Sequence, residues 1–169
     1  MPEIELNHEN YQAYLNQHLV SGDGGVKLFK AAEHTWAGTS LESVFRQLHD
    51  ELTESHAEVK NLIERLGYEV STLRNLSAGV AEVVGLVNPV NFTRHPYGRL
   101  AQPQLDSLAA AIRAQQMLWE TLVVLADVDD RLDKEWCRSM IARCEDQRAR
   151  VAKASAETVL TRFTVRPGQ

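Results

Sequence analysis

Six histidines and 23 acidic side chains are the nitrogen and oxygen groups of this 169-residue chain that could hold a metal ion. In a helical bundle, a two-metal carboxylate centre takes a Glu from each of two helices and a Glu-x-x-His pair from each of the other two, because oxygen and imidazole ligands must converge on the interior. The histidines are His8, His18, His34, His49, His56 and His95, and only Glu5-Leu-Asn-His8 has the required spacing. That pair lies at or before the start of the first periodic segment, and no histidine follows His95. Around His56 stand Glu51, Glu54 and Glu58. At about 100° per helical residue, Glu51 and Glu58 flank one edge of the apolar stripe, His56 flanks the other, and Glu54 points away. Further on, Glu145-Asp-Gln-Arg148 puts a guanidinium, which repels a cation, where a histidine would be needed. The usual di-metal pattern is therefore missing, and no catalytic residue, metal ligand or cofactor is expected. Iron or manganese would need an atypical set drawn from Glu33, Glu51, Glu54, His56, Glu120 and Glu145.

A second group consists of polar residues on otherwise apolar stripes: His18, Ser55, Gln115, Gln116 and Gln147. Buried together they would form a hydrogen-bonded core layer, which either fixes helix register or makes a small polar pocket. Two motifs fail on inspection. Gly22-Asp-Gly-Gly-Val-Lys27 has the glycines and lysine of a phosphate loop, but no preceding strand and no Ser or Thr after the lysine. Asp127, Asp129, Asp130 and Asp133 resemble the opening of a calcium loop without its glycine and closing glutamate, so helix capping is the expected role. Cys137 and Cys144 are seven residues apart on one helical segment, about 10 Å of axial rise, too far for a disulfide.

The elements that must position these groups are helices. From 9 to 37, Tyr11, Leu15, Leu19, Val26, Phe29 and Trp36 recur on one helical face. Ser21-Gly22-Asp23-Gly24-Gly25 interrupts this face, at about 1 kcal/mol per glycine relative to alanine, so the helix is expected to continue with a kink or an unusually close neighbour. Gly38 suits a left-handed stop, and Thr39 with Glu42 suits a capping box for a second helix over 41–66, ended by Gly67. A third helix is predicted over 103–127, opened by Pro103 at its first position, and a fourth over 133–163. Between the hairpins, Val70, Leu73, Leu76, Val80, Val84 and Val87 predict a crossover helix over 70–87. The reading is one all-α domain over 1–169, two helical hairpins joined by a long crossover.

A chain of this size buries a core without disulfides or structural metals. The net charge of −5 and interleaved acidic and basic residues near the C-terminus offer no basic stripe for nucleic acid. No apolar run reaches the roughly 18 residues of a membrane span, and Met-Pro-Glu-Ile-Glu-Leu lacks the pattern of an export signal, so a cytoplasmic protein is expected. Met117-Leu-Trp-Glu-Thr-Leu-Val-Val-Leu-Ala126 is apolar on nearly every helical face. A homodimer using Met117, Val124 and Leu125, or cover by the crossover segment or another protein partner, would bury the surplus.

The run Tyr14-Leu-Asn-Gln-His-Leu, then Ala37-Gly-Thr-Ser-Leu and Ile63-Glu-Arg-Leu-Gly67, resembles a family of uncharacterised bacterial ferritin-like four-helix proteins. The similarity extends over Tyr97-Gly-Arg-Leu, Leu118-Trp-Glu-Thr-Leu and Glu145-Asp-Gln-Arg-Ala-Arg-Val. These are packing and turn motifs. The resemblance implies a ferritin-like fold and carries no functional residue. The function expected is a non-catalytic bundle acting through self-association or protein–protein contact. The alternatives are a ferritin-like metal-dependent oxidoreductase or metal-binding protein with atypical ligands, and a small-ligand module using the polar layer.

Overall fold

A computed structural model describes residues 5–71 and 95–165. These residues form four helices and no strand: α1 (His8–Thr35), α2 (Glu42–Arg65), α3 (Ala101–Leu125) and α4 (Lys134–Phe163). Most of the crossover helix expected over 70–87 lies outside the described residues; Val70 and Ser71, which are described, are not helical. No helix among the described residues is long and apolar enough to cross a membrane.

Local chemistry explains the helix ends. The Asn7 side chain accepts the Asn10 N–H at the start of α1, and the Asp133 side chain accepts the Trp136 N–H at the start of α4. Gly38 and Gly67 follow α1 and α2 with φ of 75° and 76°, the left-handed conformation in which a Cβ would be strained. The capping box expected of Thr39 and Glu42 is displaced. A tight turn through Thr39 moves the start of α2, so the Glu42 carboxylate accepts the Gly38 N–H at 2.7 Å and the Thr39 hydroxyl donates to the Trp36 carbonyl. α3 begins two residues before Pro103, which still lies in the first turn, where a missing N–H costs no helical bond.

Each hairpin is antiparallel, and contacts between the hairpins fix the remaining directions. The Trp36 indole N–H donates to Gln104 Oε1 at 3.2 Å and the Tyr14 hydroxyl donates to Thr121 at 3.1 Å, so α1 and α3 run in opposite directions. Glu51 accepts from Gln147, Glu54 accepts from Arg143, and the Arg65 guanidinium lies 4.9 Å over the Trp136 ring, so α2 and α4 are also opposed. It follows that α2 and α3 point the same way, and the connection from 66 to 100 joins opposite ends of the bundle. Its described ends both lie along α1. The Ser71 N–H donates to Asn16 Oδ1 at 2.6 Å, and the Tyr97 ring meets Trp36 edge-on at 6.0 Å.

The core lies between the four helices and includes Trp36, Phe45, Leu48, Leu62, Ile63, Leu105, Leu108, Ile112 and Trp119, all but completely enclosed. Burial of each large aliphatic or aromatic side chain contributes about 1.5–3 kcal/mol. Two polar clamps close its ends. At one end Gln104, fully buried, accepts from Trp36 and donates to Thr35. At the other, Arg131 holds both oxygens of the buried Asp129 carboxylate at 2.7 and 2.8 Å and donates to the Leu66 carbonyl at 2.7 Å. Asp129, expected from sequence as a helix cap, is therefore an ion-pair partner, while Asp133 does cap α4.

The glycine-rich stretch of α1 does not break the helix, and a close neighbour is present at Gly22. The His56 ring reaches across from α2 and donates from Nε2 to the Leu19 carbonyl at 2.9 Å. A Cβ on Gly22 would fall 2.8 Å from His56 Cδ2, whereas one on Gly24 would meet nothing within 4 Å. Gly24→Ala is accordingly expected to raise unfolding free energy by about 1 kcal/mol. Gly22→Ala should gain less or lose, because it displaces a hydrogen bond of about 0.5–1.5 kcal/mol. Urea denaturation of both variants, alone and combined with His56→Ala, checks this; in the combined variant the Gly22→Ala gain should return.

Candidate functional site

Helix α1 carries glycines at 22, 24 and 25, and α3 carries alanines at 110, 111 and 114. The two small faces meet at Gly25 and Ala111, where an added Cβ would make an ordinary contact of 3.9 Å. Elsewhere along the seam neither helix has enough side chain to fill the space between them. The result is a cleft of about 360 Å³ bounded by α1, α2 and α3, within the usual range of small-molecule sites. Leu28, Leu52, Val59 and Leu118 give it an apolar floor. No Asp, Glu, Lys or Arg lines it among the described residues.

Its polar groups are few. His18 is half-buried on the wall, edge-on to the Tyr14 ring at 4.7 Å, and forms no hydrogen bond among the described residues. Gln115 is half-buried, and its Oε1 atom is enclosed without a partner among the described residues. His56 also lines the cleft, with Nε2 committed to Leu19. A neutral ring that donates from Nε2 presents Nδ1 as an acceptor. Ser107 turns its hydroxyl back to the Pro103 carbonyl at 2.7 Å. The arrangement suits holding an apolar body and orienting it through one or two hydrogen bonds.

The polar layer expected from the sequence is thus divided. His18 and Gln115 meet at the cleft, but Gln116 and Gln147 face the contacts with α4. Gln147, fully buried, donates to Glu51 at 3.1 Å, and Gln116 accepts from Arg148 at 3.2 Å. Ser55 is buried in α2 and does not line the cleft. A helical repeat specifies which face of a helix is covered but not which neighbour covers it, and neighbouring Gln115 and Gln116 point into different interfaces.

The acidic candidates are also dispersed. Glu33 pairs with Lys30 at 2.9 Å and lies 3.3 Å from His49; Glu54 pairs with Arg143 and Glu120 with Arg113. Glu145 accepts from Gln116, and His56 faces α1. Burial raises the Glu51 carboxyl, but hydrogen bonds from Arg150 and Gln147 outweigh it and hold the group below its ordinary value. Among the described residues no three His, Cys, Asp or Glu side chains are placed to share a metal ion. Cys137 and Cys144 are free and buried, and burial pushes the Cys144 thiol up to about 11, away from nucleophilic chemistry.

Burial lowers the His18 imidazole below its ordinary value of 6.5. The unfolded chain therefore takes up a proton first as pH falls. The stability contributed by neutral His18 is complete above about 6.5 and erodes as pH drops towards the lower folded value. His18→Gln is expected to shrink the loss of stability between pH 7.5 and 5.5. Urea midpoints of the two proteins at both pH values give the comparison, and an unchanged loss would place His18 in water. No protein-family model, curated protein or solved structure matches the chain.

Proposed function

We propose that this chain is a ferritin-like bundle that binds a small, predominantly apolar molecule in the cleft between α1, α2 and α3. The ferritin-like description is supported by the common direction of α2 and α3, which requires a connection running the length of the bundle. The binding role is carried by the cleft itself: about 360 Å³ of apolar space with His18 and Gln115 on its wall and no ordinary charged residue lining it among the described residues. Small-molecule sites are concave, mostly apolar spaces of about 300–1,000 Å³ with a few placed polar groups, and the cleft has that size and that lining.

Self-association is a second reading, supported by a separate surface. Met117, Val124 and Val128 are 51%, 68% and 43% exposed, and their spacing puts them on one stripe of α3 and the turn after it. Leu125, grouped with Met117 and Val124 from sequence, packs against the core instead and leaves that surface. Light scattering at micromolar concentration should give a dimer mass under this reading, and Val124→Lys should return a monomer.

For the cleft, the neutral fluorophore N-phenyl-1-naphthylamine is expected to bind saturably at one site per chain. Gly24→Leu fills open space beside the cleft and also removes a helix-weakening glycine. It should weaken the fluorophore at least about tenfold, a loss of roughly 1.4 kcal/mol, while the thermal midpoint stays level or rises. Equal binding by the native chain and the variant would exclude this cleft as the site.

A further inference from the structure

We infer that the molecule taken by the cleft is uncharged, of up to three rings, and carries a hydrogen-bond donor that the Gln115 side-chain amide oxygen accepts. This rests on the binding role proposed above and adds the chemical class. Size comes from the volume: a cavity of about 150 Å³ holds one benzene ring. A space of about 360 Å³ therefore admits a molecule of roughly twice that bulk.

Charge is decided by what lines the walls. Among the described residues the cleft offers His18 and His56 but no carboxylate, ammonium or guanidinium. An ion entering it would lose hydration without gaining a counter-ion, a cost that far exceeds any single neutral hydrogen bond. Helix α1 brings Asp23 and Lys27 near this stretch, but they pair with each other at 2.6 Å on the exposed side. The same walls accept an apolar ring without penalty.

The donor follows from the hydrogen-bond inventory. Gln115 lines the cleft with a half-buried side chain whose Oε1 is covered and has no partner among the described residues; a turn of the terminal amide brings that oxygen to an occupant, and an amide oxygen only accepts. Leaving such an atom unsatisfied costs about 1–3 kcal/mol, so an occupant made only of hydrocarbon keeps that cost, whereas a hydroxyl or N–H removes it. His56 reinforces the choice, because its Nε2 proton is committed to Leu19 and what remains on that ring is an acceptor. His18 supplies the one flexible group: with no hydrogen bond among the described residues, either ring nitrogen is free to serve a ligand by choice of tautomer.

Displacement of N-phenyl-1-naphthylamine at pH 7 by four ligands sharing one ring system tests the class. 2-Naphthol is expected to compete about tenfold better than naphthalene, and at least about tenfold better than 2-naphthoate or 2-naphthylmethylammonium. In Gln115→Leu the advantage of 2-naphthol over naphthalene should fall to about twofold or less. Competition by naphthoate or the ammonium equal to that of naphthol overturns the inferred class while leaving the cleft a binding site. So does a naphthol advantage that survives Gln115→Leu. Failure of every probe to bind the native chain overturns the binding role itself. Saturable binding that emerges only when residues 72–94 are replaced by a Gly-Ser linker means the chain fills its own cleft, and overturns both.

Discussion

The guanidinium of Arg131 does two things that no other side chain among the described residues does together. It neutralises a carboxylate enclosed at the end of the core, and it supplies a donor to the Leu66 carbonyl at the end of α2. The geometry is bidentate, and it holds the Asp129 carboxyl below the usual carboxylate range. Tyr68 joins the same group: its hydroxyl accepts from Arg131 at 3.3 Å and is hydrogen-bonded to His8 Nδ1 at 2.6 Å. One turn thereby fixes the end of α2, the start of α1 and the α3–α4 hairpin relative to one another. Gln104 repeats the device at the far end with neutral partners. With both ends pinned, the middle of the bundle tolerates a seam where two helices of small residues leave space between them.

The seam changes the meaning of the glycines in α1. In a helix held only by its own propensity, three glycines within four residues would be a break point. Here Gly22 is required by the approach of His56, a Cβ on Gly25 would meet Ala111 at ordinary contact, and a Cβ on Gly24 would meet no described residue within 4 Å. The first two favour proximity and the third leaves a gap. The helix is continuous because tertiary contacts on either side of the stretch, at Leu19 and at Leu28 and Phe29, are fully formed.

Much of the bundle was legible in the sequence for reasons tied to single residues. Gly38 and Gly67 mark helix ends because left-handed backbone is nearly reserved to glycine, and Asp133 marks a start because its side chain substitutes for a missing carbonyl. His18 and Gln115 stood out as polar positions on apolar stripes. Their meeting at one cleft was not legible, since periodicity orders residues around one axis and says nothing about the angle between axes. The space beside Gly24 was beyond reach for a simpler reason: a cleft is made of absent side chains, and the same glycines are equally consistent with a tight contact. Asp129 was misread because its carboxylate is held by Arg131, two residues on, whose guanidinium also donates to the Leu66 carbonyl from a distant part of the chain.

The shared direction of α2 and α3 bears on how the chain reaches this state. Contacts within each hairpin close over short stretches of sequence, across Gly38 in one and the Asp127–Asp133 turn in the other. Those between the hairpins, such as Trp36 with Gln104, require the whole 66–100 connection to be brought round. Loop-closure entropy grows only with the logarithm of length, about 0.6 kcal/mol for each doubling. A connection long enough to span the bundle is thus a small thermodynamic burden. It separates assembly into two local events and one distant one, and the cleft, bounded by one helix of the second hairpin and both helices of the first, comes into existence only with the last of them.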